Sequence, residues 1–197
     1  MTPLGLVADP LTRKWVTELR ERVDGSETRL IFTDPSEPGM GPVVYERILL
    51  EAQHVRLFTN QVDGAVLNEK DTLLGTLRMR LASGAVVQTL IRTPEYNKPE
   101  VFHQLEALRH EFPTTMQIRA LRADRKAESL RKNTRGETLG YFTFLTGNDD
   151  MYRLEHYDGD ENRGTLARAY NGFHDREFTT DLIDRYFDRW FQESAVR

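Results

Sequence analysis

Apolar residues recur along this chain at two spacings, and the switches between them mark the elements. Trp15, Val16, Leu19 and Val23 keep helical spacing, which predicts a helix over residues 11–23, stopped by Asp24, Gly25 and Ser26. Leu30, Ile31 and Phe32 form a short all-apolar run, the mark of a buried strand. Residues 34–39 are a turn-rich loop, since proline and glycine break regular structure. From there the pattern alternates. Helices are expected over 43–52, 68–82 and 99–112, and strands over 55–59, 85–91 and 116–121. Strands that alternate with helices of this length predict βα units and an α/β fold with a largely parallel central sheet and flanking helices.

The rhythm changes after residue 122. Residues 123–137 are highly charged and poor in large apolar side chains, so they read as a long loop or a weakly packed helix. Residues 139–146 and 151–157 flank the turn Gly147-Asn148-Asp149-Asp150 and predict an antiparallel hairpin. A second turn at 158–163 leads to a third strand over 165–170. Residues 175–193 then read as one long closing helix, with Phe178, Leu182, Ile183, Tyr186, Phe187, Trp190 and Phe191 as its apolar stripe. The whole chain, 1–197, is one domain, with residues 1–40 set apart as a candidate N-terminal appendage.

Composition removes several chemistries. There is no cysteine, which excludes disulfides, thiolate zinc sites and cysteine nucleophiles. No apolar run approaches the ~20 residues of a membrane span, and no leader pattern opens the chain, so a cytoplasmic protein is expected. No phosphate loop or dinucleotide fingerprint is present, and no cofactor is implied. The net charge of −4 argues against binding polyanions by bulk field. Local charge is another matter. Arg119, Arg122, Arg125, Lys126, Arg131, Lys132 and Arg135 fall close together, offset only by Asp124 and Glu128. They follow the carboxyl end of an expected parallel strand, where open α/β sheets bind ligands. Arg119, Arg122, Arg125 and Lys126 are therefore candidate contacts for a phosphate-bearing ligand or nucleic acid, against the simpler reading of a solvated loop.

Among the five histidines, His103 and His110 sit two helical turns apart, too far for one metal. His156 and His174, with Glu155 or Asp175, would form an acid–base or metal site only if the final hairpin and closing helix brought them together. Asp158-Gly159-Asp160-Glu161-Asn162 lacks the glycine and glutamate of a calcium loop and reads as a polar turn. No metal site is expected.

The order of elements, with Val44-Tyr45-Glu46, Leu57-Phe58 and Leu81 to Val87 early on, resembles one half of the phospholipase D superfamily. The later match runs through Tyr141 to Leu145, Met151 to Glu155 and Ala167 to Asn171, and ends in the aromatic closing helix. The resemblance implies that fold, an anion-binding cleft, pairing as a homodimer, and a family asparagine at Asn171. Active members carry His-x-Lys-x4-Asp, with histidine as nucleophile. Counted back from Asp149, this chain has Phe142 and Phe144 there; from Asp150, Thr143 and Leu145. His174, Arg176 and Asp181 match loosely, but at the start of the closing helix, where they would point apart. No catalytic residue is assigned. The expected function is a non-catalytic module that recognises a phosphate-bearing ligand or a protein partner. The alternatives are a phosphodiesterase or nuclease with a relocated site, and a structural subunit whose interface is Tyr186, Phe187, Trp190 and Phe191.

Overall fold

The computed structural model describes residues 10–34, 40–61, 72–94, 99–159 and 165–196. Five α-helical regions, a 3-10 helix and one mixed sheet organise them. Helix α1 (Pro10–Asp24) begins on a proline, whose fixed φ suits a first turn, and buries Trp15, Leu19 and Val23. Helices α2 (Met40–Glu51), α3 (Thr72–Ala82) and α4 (Pro99–Glu111) follow. The start of the expected helix at 68–71 and most of the expected loop at 34–39 lie outside the described residues. The strands are β1 (Leu30–Thr33), β2 (His54–Thr59), β3 (Val86–Ile91), β4 (Met116–Ala120), β5 (Leu130–Lys132), β6 (Thr138–Gly147), β7 (Met151–Asp158), β8 (Thr165–Phe173) and β9 (Ala195–Val196).

Their order across the sheet is β1-β8-β7-β6-β2-β3-β4-β9, with β5 paired to β6. The parallel pairing expected of the βα units is confined to β2, β3 and β4; every other pairing is antiparallel. Residues 10–34 are built into the body of the fold. Trp15, Leu19 and Val23 join the main core, and β1 pairs with β8. β1 is not the buried strand its composition predicts. It is an edge strand with alternate burial, and Ile31 is 47% exposed.

The two faces of the sheet carry different cores. On the first face, α1 to α4 pack against Val55, Val87, Ile91, Met116, Ile118, Leu145 and Met151. On the second, the closing helix covers Phe58, Leu90, Phe144, Tyr152 and Leu154. That helix is α5 (Arg176–Leu182), a π-helical turn (Ile183–Phe187) and α6 (Asp188–Glu193). Asp175 caps it: the carboxylate accepts from the Phe178 N–H and pairs with Arg29 at 2.9 Å. The segment at 123–137 is neither a loop nor an α-helix at its start. It is a short 3-10 helix (Ala123–Ser129) running into β5, and it buries Ser129.

Candidate functional site

Because side chains alternate along a strand, β7 sends Arg153 and Glu155 to the first face and Leu154 and His156 to the second. Arg153 is 1% exposed, so its charge requires partners. They come from β7 itself, from β8 and from the loop after β1. The guanidinium forks onto Asp34, just past β1, with Nη1 donating to Oδ1 at 2.9 Å and Nη2 to Oδ2 at 2.7 Å. Nη1 also donates to Asn171 Oδ1 on β8 at 2.9 Å, and Nε to Glu155 Oε1 at 2.7 Å. Asn171 returns a hydrogen bond to Asp34 at 2.7 Å. The second oxygen of Glu155 accepts from Tyr157 Oη at 2.9 Å and Thr143 Oγ1 at 3.2 Å. One cation and two carboxylates leave the cluster with an excess negative charge.

The cluster is closed by helix α2. The Arg153 guanidinium lies 5.8 Å from the Tyr45 ring centre, and a Cβ on Gly41 would come within 3.1 Å of Arg153 Nη2. A Cβ at that distance would crowd the guanidinium, so glycine eases the close approach of the helix. Burial, and then the Glu155 charge, hold the Tyr45 phenol well above its ordinary value; the same two causes raise Tyr157. Burial alone would depress Arg153, but the Asp34 hydrogen bond and the two carboxylates more than offset it. Towards the carboxyl ends of the parallel strands, Tyr157 stacks on Tyr141 at 4.9 Å, and the buried Arg92 stands 5.6 Å from Tyr141. Arg92 donates to Asn60 at 3.2 Å and to the Lys126 carbonyl at 3.4 Å.

The structure separates the residues that the sequence grouped as ligand contacts. Asn171 is in the Arg153 cluster and fully buried. Arg119, Arg122, Arg125 and Lys126 lie past or at the end of β4, and the charges there are largely neutralised. Arg125 chelates Glu193 at 2.7 and 3.1 Å and also meets Glu128 at 2.6 Å, which raises its pKa. Arg119 donates to the Phe191 carbonyl at 2.6 Å and lies over that ring. Arg122, 54% exposed, pairs with Asp124 in open solvent. Glu128 also takes Arg189 and the Trp190 indole N–H, so its own pKa is lowered.

The closing helix corrects a second expectation. Phe187 and Trp190 are 0% exposed and Phe191 5%, packed on Phe58, Phe144 and one another. The apolar face read as a subunit interface is turned into the chain's own core, and only Tyr186 remains half-buried at its rim. His156 and His174 are not brought together. They lie towards opposite ends of the β7–β8 pair, ~20 Å apart along the strands, and Glu155 points to the face away from His156. His174, with φ of 56°, and Arg176 are exposed, while Asp181 pairs with Arg185. Among the described residues no group of acidic and histidine side chains could hold a metal ion. Most of the polar turn at 158–163 lies outside the described residues; Asp158 pairs with Arg131 at 2.9 Å. No helix among the described residues is long and apolar enough to cross a membrane.

Asp34, Tyr45 and Arg153 were not singled out from the sequence as site residues, and Glu155 was considered only beside His156 and His174. A signal for two of them existed, since Met151, Arg153 and Glu155 share a face in a strand whose Met151 is apolar.

No family model and no curated protein matches the chain. Solved structures do. Nuc from Salmonella typhimurium, a phospholipase D family member, superposes with a TM-score of 0.59 at 9% identity, over 86% of this chain and 98% of that one. NucT from Helicobacter pylori gives 0.56 at 11% identity, over 86% of this chain and 99% of that one. TrmBL2, an archaeal chromatin protein, gives 0.50 at 13% identity, over 93% of this chain and 62% of that one. At these identities the likeness is one of fold, and the fold of this chain is phospholipase D-like.

Proposed function

We propose that this chain is a phospholipase D-like module that binds a phosphate-bearing ligand without cleaving it. The content of β6 carries the reading. In one register the positions required for histidine and lysine are Phe142 and Phe144, whose rings pack against Trp190 and Phe187. In the other they are Thr143, hydrogen-bonded to Glu155, and the buried Leu145. Phenylalanine and leucine have no nucleophilic atom, and a threonine engaged with a carboxylate does not replace a histidine that must form and release a phosphoryl bond. The nearby charges are closed on one another. Among Arg119, Arg122, Arg125 and Lys126, Arg122 is the exposed one, and an ion pair in water holds its partners weakly. TrmBL2, described by its mode of DNA binding, supports a binding role for a chain of this shape.

The test joins binding and turnover. The chain is titrated into labelled single- and double-stranded DNA and RNA and into polyphosphate across a salt series, and incubated with bis(p-nitrophenyl) phosphate in magnesium and in chelator. Binding that weakens steeply with salt, without turnover, is expected. Turnover abolished by His156→Ala or His174→Ala would overturn the proposal, and so would failure to bind any of these polyanions at low salt.

A further inference from the structure

At the edge of the closing helix, three residues form one row on the second face of the sheet. Phe142 of β6 stands opposite His156 of β7, and His156 stands opposite Arg168 of β8. Tyr170, two residues further along β8, meets His156 edge-to-face at 5.5 Å, and its hydroxyl accepts from Arg168 Nη1 at 3.1 Å. Tyr186 meets Phe142 edge-to-face at 5.4 Å. Phe142, His156, Tyr170 and Tyr186 are half-buried and Arg168 is exposed, so the row is a ledge of partly open rings with a cation at its outer end.

The strand is shaped to present it. The register of β7 and β8 shifts beside His156: Tyr157 faces Leu166 while His156 faces Arg168, and Ala167 is the extra residue. Such a bulge sharpens the local twist and re-aims the side chains beside it. Arg168 is also set apart from the carboxylate-paired arginines of this chain. Arg47, Arg78, Arg125, Arg153 and Arg189 each meet a carboxylate. Among the described residues Arg168 meets none. Burial, and then Arg131 and Arg168, hold the His156 imidazole below its ordinary pKa, with Asp158 acting the other way. The row therefore combines aromatic faces with a guanidinium, that of Arg168, that meets no carboxylate among the described residues.

We infer that this row binds single-stranded nucleic acid, with bases stacked on the Tyr170, His156 and Tyr186 rings and a backbone phosphate on Arg168. Rings and guanidinium on an antiparallel sheet suit unpaired bases, which can leave their stack, whereas a duplex keeps its base faces covered. An acidic peptide would use the guanidinium and leave the rings idle. The inference rests on the chain being a phosphate-ligand binder and gives that role a surface and a ligand class.

The experiment is fluorescence anisotropy with labelled oligo-dT and oligo-U of about twelve nucleotides, using the full chain and its Arg168→Glu, Tyr170→Leu, Tyr170→Phe and Arg122→Glu variants, each checked for an unchanged melting curve. Arg168→Glu and Tyr170→Leu are expected to weaken binding about tenfold or more. Tyr170→Phe, which keeps the ring, is expected to bind like the parent, and Arg122→Glu is expected to weaken binding less than Arg168→Glu does. Oligonucleotide binding that only Arg122→Glu weakens overturns this surface and leaves the binding-module reading intact. Loss with Arg168→Glu but not Tyr170→Leu, with polyphosphate competing equally well, overturns base stacking in favour of a plain phosphate site. Absence of oligonucleotide binding overturns the inference alone where polyphosphate or duplex still binds, and both readings where nothing does.

Discussion

Two polar clusters lie back to back on the same strands, and they are built on opposite rules. On the first face, Arg153 is enclosed by Asp34, Glu155, Asn171 and α2, and four of its N–H···O contacts are short. On the second face, Arg168 is open, bonded to a tyrosine hydroxyl and bordered by half-covered rings. The contrast separates two uses of arginine. A buried fork that satisfies its neighbours holds strands in place; an exposed guanidinium with no carboxylate is left available to an outside anion.

Breaking the first cluster should have the largest effect. Arg153→Met leaves Asp34 and Glu155 buried without their cation and is expected to cost about 3–5 kcal/mol in chemical denaturation, whereas Arg168→Met should leave the midpoint where it was. Equal effects would erase the distinction between the clusters. Next is a packing test of the second face. A Cβ on Gly172 would lie 2.0 Å from the Tyr152 ring, which is buried and packed at a tilt against Phe178. Gly172→Ala should destabilise by about 1–3 kcal/mol without changing the charge of either cluster.

Acid sharpens the comparison with a smaller effect. His156 is depressed in the folded chain, so below the ordinary ~6.5 of an unfolded histidine the unfolded state takes up a proton that the folded state refuses. Its contribution is fully present above pH ~6.5 and is lost as the pH falls through the folded pKa. Denaturation curves at pH 7.5 and pH 5 should show part of this acid loss removed in His156→Gln, while a bound anion beside Arg131 and Arg168 should also reduce it. The smallest effect is expected at Arg122. Its pair with Asp124 is in open solvent, and Arg122→Ala should melt like the parent.

The described elements between 40 and 120 were legible because each helix is marked by apolar residues at helical spacing and each strand by a short, mostly apolar stretch, so local periodicity decided them. The β6–β7 hairpin announced itself through Gly147 to Asp150. β5 was hidden because Leu130-Arg131-Lys132 is too short and charged to show a period, and it becomes a strand only because β6 offers it an edge. β1 was misread for a related reason: composition reports its apolar side chains but not its position at the sheet margin. The basic run showed Asp124 and Glu128 nearby in sequence, but Glu193, 68 residues from Arg125, arrives only when the closing helix docks. Asn171 was read as a ligand contact beside the basic run, and its buried partners Asp34 and Arg153 were out of view because they lie 137 and 18 residues away.

The fork between Asp34 and Arg153 spans 119 residues of chain, and β1 finds its sheet partner only in β8. A ribosome therefore releases β1 long before either partner exists. Until β7 and β8 follow, that edge strand has an open row of backbone groups and an acid awaiting its cation. Closing so long a loop makes the final seam of the sheet a late and slow step in folding. The nascent chain is thus open to misassociation along β1 until β7 and β8 emerge, and the arrival of Arg153 closes the ion pair and the seam together.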